Sequence, residues 1–126
     1  MTGYVGNIEE ITLTNTYFRQ ILFTAPHSQL VVMCLQANEE IGDEVHQVDQ
    51  FFRIEKGEGK VILNGEEHAL KDGDAIVVPA GTQHNVINTS PTQKLQLYTI
   101  YSPAQHKDGV IHKTKAEAMA DETDHL

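Results

Sequence analysis

The stretch GDAIVVPAGTQHNVIN, residues 73–88, decides the fold, because two glycines, a proline and a histidine stand in it at fixed spacings. Gly73 and Gly81 permit the backbone angles of tight turns, and Pro79 fixes one dihedral angle. The β-branched run between the turns predicts a short strand, and the residues after the second turn predict another. His84 begins that second strand and is expected to face the interior.

A second polar stretch, EVHQVDQ at residues 44–50, lies about forty residues upstream of His84. Side chains alternate between the two faces of a strand. Glu44, His46 and Gln50 therefore share a face with the apolar Phe52 and Ile54, while the opposite face is mostly polar. A carboxylate, an imidazole and an amide that face a core are costly unless something satisfies them. A metal ion would do so.

Glycines and prolines divide the rest of the chain into short segments of alternating or β-branched character. Asn64-Gly65, between two such segments, is a strong signal for a hairpin turn. Many short strands at regular spacing predict an all-β sandwich or barrel. The predicted strands are Tyr17–Thr24, Gln29–Ala37, Gln50–Lys56, Gly59–Leu63, Glu66–Leu70, Ala75–Val78, Gln83–Asn88 and Lys94–Ser102.

The only predicted helix runs from Thr114 to about Thr123, with Thr114 as its N-cap and Ala116, Met119 and Ala120 at helical spacing. Residues 121–126 are acidic and are expected to fray. The histidines outside the two polar stretches stand in polar or terminal contexts, and we expect them to be exposed to solvent. They are His27, His68, His106, His112 and His125.

The composition limits the class of protein. A chain of 126 residues is the size of a single domain with its own core, here residues 1–126. The net charge of −9 argues against nucleic acid and anionic membranes as partners. No apolar run approaches the roughly 20 residues of a membrane span, and no signal peptide is evident. The single cysteine, Cys34, has no partner for an internal disulfide, which favours a cytoplasmic location.

Residues 73–88 resemble the second conserved motif of the cupin superfamily. The match is complete at the defining positions, Gly73, Pro79, Gly81, His84 and Asn88. Together with the polar stretch at the right separation upstream, this motif identifies the chain as a member of that superfamily.

The upstream stretch resembles the first cupin motif with two departures. Glu44 stands where the first histidine of the His-x-His pair is usual, and Gln50 stands where a glutamate is usual. His46 and Gly57 fit the frame. The resemblance covers residues 29–102 and implies an all-β, double-stranded β-helix or jelly-roll barrel, followed by the short C-terminal helix at 114–123. It also implies a homodimer, for which the strands predicted at 17–24 and 29–37 are candidate contacts.

The motif positions are metal ligands in cupins. Carried over position by position, the resemblance gives Glu44, His46, Gln50 and His84 as ligands of one divalent ion. Two imidazoles, a carboxylate and an amide oxygen suit Zn²⁺, Mn²⁺, Fe²⁺ or Ni²⁺. In one alternative, Glu44 is instead a catalytic general base beside a metal held by the other three. In another, no metal binds and the four side chains form a hydrogen-bonded network.

A divalent ion and one ionised glutamate leave a site charge of about +1, which favours a carboxylate, enolate or hydroxy-keto ligand. The resemblance to cupins implies a small metal-dependent enzyme of isomerase, lyase or dioxygenase type, and the site charge implies a small polar substrate. The alternatives are a metal- or ligand-binding module without turnover, and a structural or interaction protein. Small cupins of this kind are often compared with mannose-6-phosphate isomerase, but the sequence shows no Lys or Arg cluster in the predicted cavity for a sugar phosphate.

Overall fold

The computed structural model describes residues 2–126, and β-strands dominate them. The described part of the chain contains two short helices and nine strands. In chain order they are α1 (Ile8–Thr14), β1 (Arg19–Thr24), β2 (Gln29–Leu35), β3 (Asp49–Lys56), β4 (Gly59–Leu63), β5 (Glu66–Leu70), β6 (Ala75–Val78), β7 (His84–Asn88), β8 (Leu95–Ser102), β9 (Ile111–His112) and α2 (Lys115–Ala120).

The strands form two antiparallel sheets. The larger has the order β6-β3-β8-β2-β1-β9, and the smaller has the order β5-β4-β7. Buried side chains of both sheets meet in one apolar core, to which the larger sheet contributes Phe52 and Leu97 and the smaller sheet Val61 and Val86. Burying each such side chain contributes about 1.5–3 kcal/mol. The predicted jelly-roll barrel is confirmed.

The strand predictions are confirmed, with ends that move by up to two residues. β1 begins at Arg19 instead of Tyr17, and β2 ends at Leu35 instead of Ala37. Along β3 from Asp49 to Glu55 the even-numbered residues are buried and the odd-numbered ones are more exposed, as the alternation predicts. The segment before β3 is not a continuous strand, and two isolated bridges join it to β7, between Glu40 and Ile87 and between Glu44 and His84.

Helix α1 was not predicted, because its sequence, IEEITLT, is rich in β-branched residues that are more typical of strands. The helix is nevertheless well capped. The Oδ1 atom of Asn7 accepts a hydrogen bond from the N–H of Glu10 at 3.0 Å, and two glutamates lie in the first turn. The one buried residue of α1 is Thr12. Contact with the larger sheet, chiefly with β8, therefore outweighs the local preference of the segment.

The C-terminal segment differs most from its prediction. Helix α2 has the predicted cap, Thr114, but it ends at Ala120. Met119, placed on its apolar face by spacing, is 73% exposed, whereas Ala118 packs against the core. The tail does not fray completely, since Asp124 is only 2% exposed.

Two of the five histidines that we expected at the surface are buried. His106 and His112 are 0% and 3% exposed. Each is held by a carboxylate later in the chain: Nδ1 of His106 lies 2.9 Å from Asp124 Oδ2, and Nε2 of His112 lies 3.0 Å from Asp121 Oδ2. The prediction was wrong because these partners lie in the tail that the sequence pattern marked as frayed. His27, His68 and His125 are exposed, as expected.

Asn88, the last residue of the second motif, ties three segments together. Its Nδ2 atom lies within hydrogen-bond distance of the carbonyls of Leu35, Gln36 and Gln93, at 3.3, 3.0 and 2.8 Å. Its Oδ1 atom accepts from the N–H of Ser90 at 3.0 Å. The side chain is only 1% exposed.

Replacing Asn88 with alanine is expected to lower the free energy of unfolding by about 2–3 kcal/mol, because buried carbonyls lose their donor. Urea denaturation measures the change. Thr89→Ala, at the exposed neighbouring position, is the matched control and should stay within about 0.5 kcal/mol of the wild type. Equal stability of the two variants would contradict the bridging role.

Candidate metal centre

Backbone hydrogen bonds join the two motifs directly. The N–H of Glu44 donates to the carbonyl of His84, and the N–H of His84 donates to the carbonyl of Glu44, both at 2.9 Å. Three residues before His84, the N–H of Gly81 donates to the carbonyl of His46 at 2.8 Å. Gly81 lies in a tight turn, and its φ of +84° is one that glycine adopts readily. Since residues opposite each other in an antiparallel pair have neighbouring side chains, this bridge brings Glu44 and His84 together.

Gln50 belongs to the other sheet. It lies on β3, paired with Val78 on one side and Tyr101 on the other, whereas His84 begins β7 of the smaller sheet. Gln50, His46 and His84 are all buried, with exposures of 3%, 7% and 3%. The polar cluster thus forms inside the barrel rather than on its surface.

Three of the four predicted residues lie close enough to share an ion. Glu44, His46 and His84 each offer one ligand atom, and these atoms lie within 4.8 Å of one another. The Nε2 atom of His46 lies 3.4 Å from Glu44 Oε2, and the two imidazole centroids are 5.4 Å apart. The structure therefore brings together the carboxylate and both imidazoles that the motif comparison selected.

Hydrogen bonds to neighbouring residues orient the donor atoms of His84 and Gln50 toward the interior. Nδ1 of His84 lies 2.9 Å from the carbonyl of Thr82, so Nδ1 carries the proton and Nε2 keeps its lone pair. Nε2 of Gln50 donates to Thr99 Oγ1 at 3.0 Å, which leaves Oε1 of the amide as an acceptor. A hydrogen-bonded partner on the far side of a ligand is the usual arrangement at metal sites.

The donor atoms themselves lack partners. Within residues 2–126, the buried atoms His46 Nε2, His84 Nε2 and Gln50 Oε1 form no hydrogen bond. A buried polar atom without a partner costs about 1–3 kcal/mol, so three in one cluster are a large local cost. Two imidazole nitrogens, an amide oxygen and a nearby carboxylate fit a borderline divalent ion.

Glu44 differs in exposure from the other three residues, since its side chain is 25% exposed. Burial raises the pKa of Glu44, but the close approach of the His46 imidazole, with smaller contributions from Arg19 and His84, outweighs it and holds the pKa below its usual value. The carboxyl is thus ionised at neutral pH. Its other side faces a small cavity, which it shares with Arg19.

Arg19 and Tyr101 are site neighbours that the sequence analysis did not select. Tyr101 is 1% exposed, its ring lies edge-on to His46 at 5.9 Å, and burial raises its pKa, so the phenol stays neutral. Arg19 is 6% exposed. Arg19 precedes Ile21 by two residues and shares the buried face of β1, but its charge alone would predict an exposed position.

Two further histidine–carboxylate groups have ligand-like spacing, namely His106 with Asp124 and His125, and His112 with Asp121 and Asp124. The buried histidine of the first group already has partners for both ring nitrogens. Nδ1 of His106 meets Asp124 Oδ2, and Nε2 lies 3.2 Å from the Tyr101 hydroxyl. Burial, together with the charge of Arg19, lowers the pKa of His106, so the ring is neutral. This group is a hydrogen-bonded network.

Comparison with known proteins agrees with this geometry. The profile of the Cupin domain family matches residues 31–101, which include both motifs and more than half of the chain. The chain belongs to the cupin superfamily. The fold implied by the motif resemblance is thereby confirmed.

Three similar proteins cover most of this cupin. A crystal structure of BH2720 from Bacillus halodurans superposes with a TM-score of 0.91 at 44% identity, covering 94% of each chain. An uncharacterized protein, YrkC, of Bacillus subtilis is 48% identical over 94% of this chain and 67% of its own length. An uncharacterized protein of Acanthamoeba polyphaga mimivirus is 50% identical over 86% of this chain and 70% of its own. These relatives support the family and the fold.

Among residues 2–126 of this cupin, neither helix has the length and apolar character needed to cross a bilayer.

Proposed function

We propose that this cupin binds one divalent metal ion through His46, Gln50, His84 and Glu44, and that it is a small metal-dependent enzyme. The observation that carries the proposal is the set of three buried donor atoms without partners, beside an ionised carboxylate. The proposed reaction is of isomerase, lyase or dioxygenase type. The proposed substrate is small and bears a carboxylate or a carbonyl group.

A metal bound there would polarise a carbonyl oxygen or lower the pKa of bound water. The chain's own residues hold and orient the donors. Thr82 fixes the tautomer of His84, and Thr99 fixes the amide of Gln50. The buried Phe52, whose ring lies 6.3 Å from that of His84, helps to exclude water from this end of the barrel.

Glu44 has two roles open to it in this proposal. As a ligand, it would use the oxygen that lies 3.4 Å from His46 Nε2. As a general base, it would take a proton from a substrate in the adjoining cavity, for which its low pKa makes it a weak base. The position of its carboxylate between the donor atoms and the cavity supports either role.

A second candidate is a binding module that holds a metal or a small ligand without turnover. The observation in its favour is the small size of the cavity beside Glu44, about 110 Å³, which residues of the C-terminal segment help to enclose. A small concave site with convergent polar groups is also a general ligand pocket.

We further propose a cytoplasmic homodimer built from one cupin domain per chain. The buried thiol of Cys34 is compatible with a reducing compartment. β9 is the short edge strand of the larger sheet, next to β1, and it exposes the apolar side chain of Ile111. We propose that a second copy of the chain docks on this edge.

Elemental analysis of protein purified without a metal-affinity tag tests the proposal. We expect about one zinc, manganese, iron or nickel ion per chain. The metal found directs the substrate screen: iron toward oxygen-dependent cleavage, and zinc or manganese toward isomerase and lyase substrates. Turnover of a carboxylate or carbonyl compound supports the enzyme, and metal without turnover supports the binding module. Protein that takes up no metal after reconstitution would overturn the metal site and the metal-dependent enzyme, and it would favour a module that binds a small ligand.

A further inference from the structure

We propose that Arg19 is a substrate anchor that binds the carboxylate of a small acid in the cavity beside Glu44. This inference rests on the proposed metal site and assigns its substrate class. In this proposal the guanidinium selects the substrate, whereas the four metal-site residues hold the metal ion that acts on it.

Arg19 is a buried cation whose hydrogen-bonding capacity is largely unused. A guanidinium has five N–H donors, all of which need acceptors when buried. Within the described residues 2–126, Nε of Arg19 is buried and has no hydrogen-bond partner. Nη1 lies 3.4 Å from His112 Nδ1 and 3.9 Å from Asp124 Oδ2, so the ion pair is a long one.

Arg19 lies beside the candidate metal centre. Arg19 and Glu44 line the same cavity of about 110 Å³, together with Lys115 and Asp124. Since one bound water needs roughly 10–15 Å³ of cavity volume measured in this way, the space suits a small ligand of several heavy atoms. A small carboxylic acid fits it.

The charges around the cavity favour a negatively charged ligand. Glu44 and Asp124 contribute two negative charges, and Arg19 and Lys115 contribute two positive charges, so a divalent ion raises the local total to about +2. His106 is neutral and adds nothing. This charge attracts a carboxylate, whose two oxygens match the planar fork of a guanidinium.

Carboxylate binding to cobalt-substituted protein tests the anchor. The probes are glycolate, pyruvate and malonate, with glycolamide as the uncharged comparison, and the readouts are the visible spectrum of bound Co²⁺ and calorimetric affinity. The wild type should bind a carboxylate and bind glycolamide at least about tenfold more weakly. Arg19→Gln should weaken carboxylate binding about tenfold to a hundredfold, with full cobalt content.

Two further variants keep the test decisive. Arg53→Gln removes the only other arginine, whose side chain is 42% exposed and pairs with Glu55, and it should bind carboxylates like the wild type. If Arg19→Gln does not fold, Arg19→Gln with Asp124→Asn removes both charges of the ion pair together and should show the same loss of affinity.

The outcomes separate the two proposals. Equal carboxylate affinity in the wild type and the Arg19 variants, all loaded with cobalt, would overturn the anchor and leave the metal site standing. No carboxylate binding by the loaded wild type, or equal affinity for glycolamide, would overturn it as well. Failure of the wild type to bind cobalt would overturn the proposed function, and the anchor with it.

Discussion

Replacing His84 with alanine is expected to weaken metal binding more than about a hundredfold while the barrel stays folded. The substitution removes the one donor whose tautomer is fixed by the carbonyl of Thr82. The backbone bridge to Glu44 does not depend on the side chain and should persist. Elemental analysis and calorimetric titration with Zn²⁺ measure the loss, and circular dichroism checks the fold. His46→Ala should behave in the same way.

The matched control is His68→Ala, because the His68 side chain is 49% exposed and meets only Glu66 at the surface. This variant should keep the metal content of the wild type. If His84→Ala also kept it, the metal would be held elsewhere, and the assignment of the four ligands would be wrong.

Replacing Asp124 with alanine is expected to lower the free energy of unfolding by about 3–5 kcal/mol, because a buried charge loses its counterion. The carboxylate lies 2.9 Å from His106 Nδ1 and 3.9 Å from Arg19 Nη1, and it is 2% exposed. Without it, the Arg19 guanidinium stays in the interior with His112 as its remaining contact. Urea denaturation of the metal-free protein measures the change without a contribution from metal binding.

Asp108→Ala is the comparison for this prediction, since Asp108 is exposed in the same C-terminal segment. It should change stability by less than about 0.5 kcal/mol. A similarly small effect of Asp124→Ala would mean that the contact between the tail and the barrel does not stabilise the fold. Asp124→Asn, which keeps the shape and one acceptor, should fall between the two.

Sequence patterns predicted the candidate site well where the positions of the residues depend on their spacing along the chain. The period of two along β3 places Gln50 on the buried face with Phe52, as observed, and His46 is buried as predicted although its segment is not a strand. The Gly-Pro-Gly-His spacing gives the turn before β7. The convergence of donors from two sheets does not follow from spacing, and it entered through the resemblance to cupins.

Patterns failed where partners are distant in the chain. Arg19 is a buried cation on β1, and its neighbours His112 and Asp124 lie about a hundred residues later. A charged residue in a strand indicates an exposed face unless its partner is known. Helix α1 was missed for a related reason: its β-branched composition suggests a strand, while packing on the larger sheet holds it helical.

The reciprocal backbone bridge between Glu44 and His84 links the candidate site to the order of folding. Its two residues are forty apart, and the central strands β2 and β8 pair residues even further apart, such as Val32 with Tyr98. Such distant pairings close large loops and form slowly. The donor atoms converge only after both sheets have closed, so a nascent or partly denatured chain lacks the coordination sphere. Metal uptake would then report that the barrel is complete, and the ion would stabilise only the finished fold.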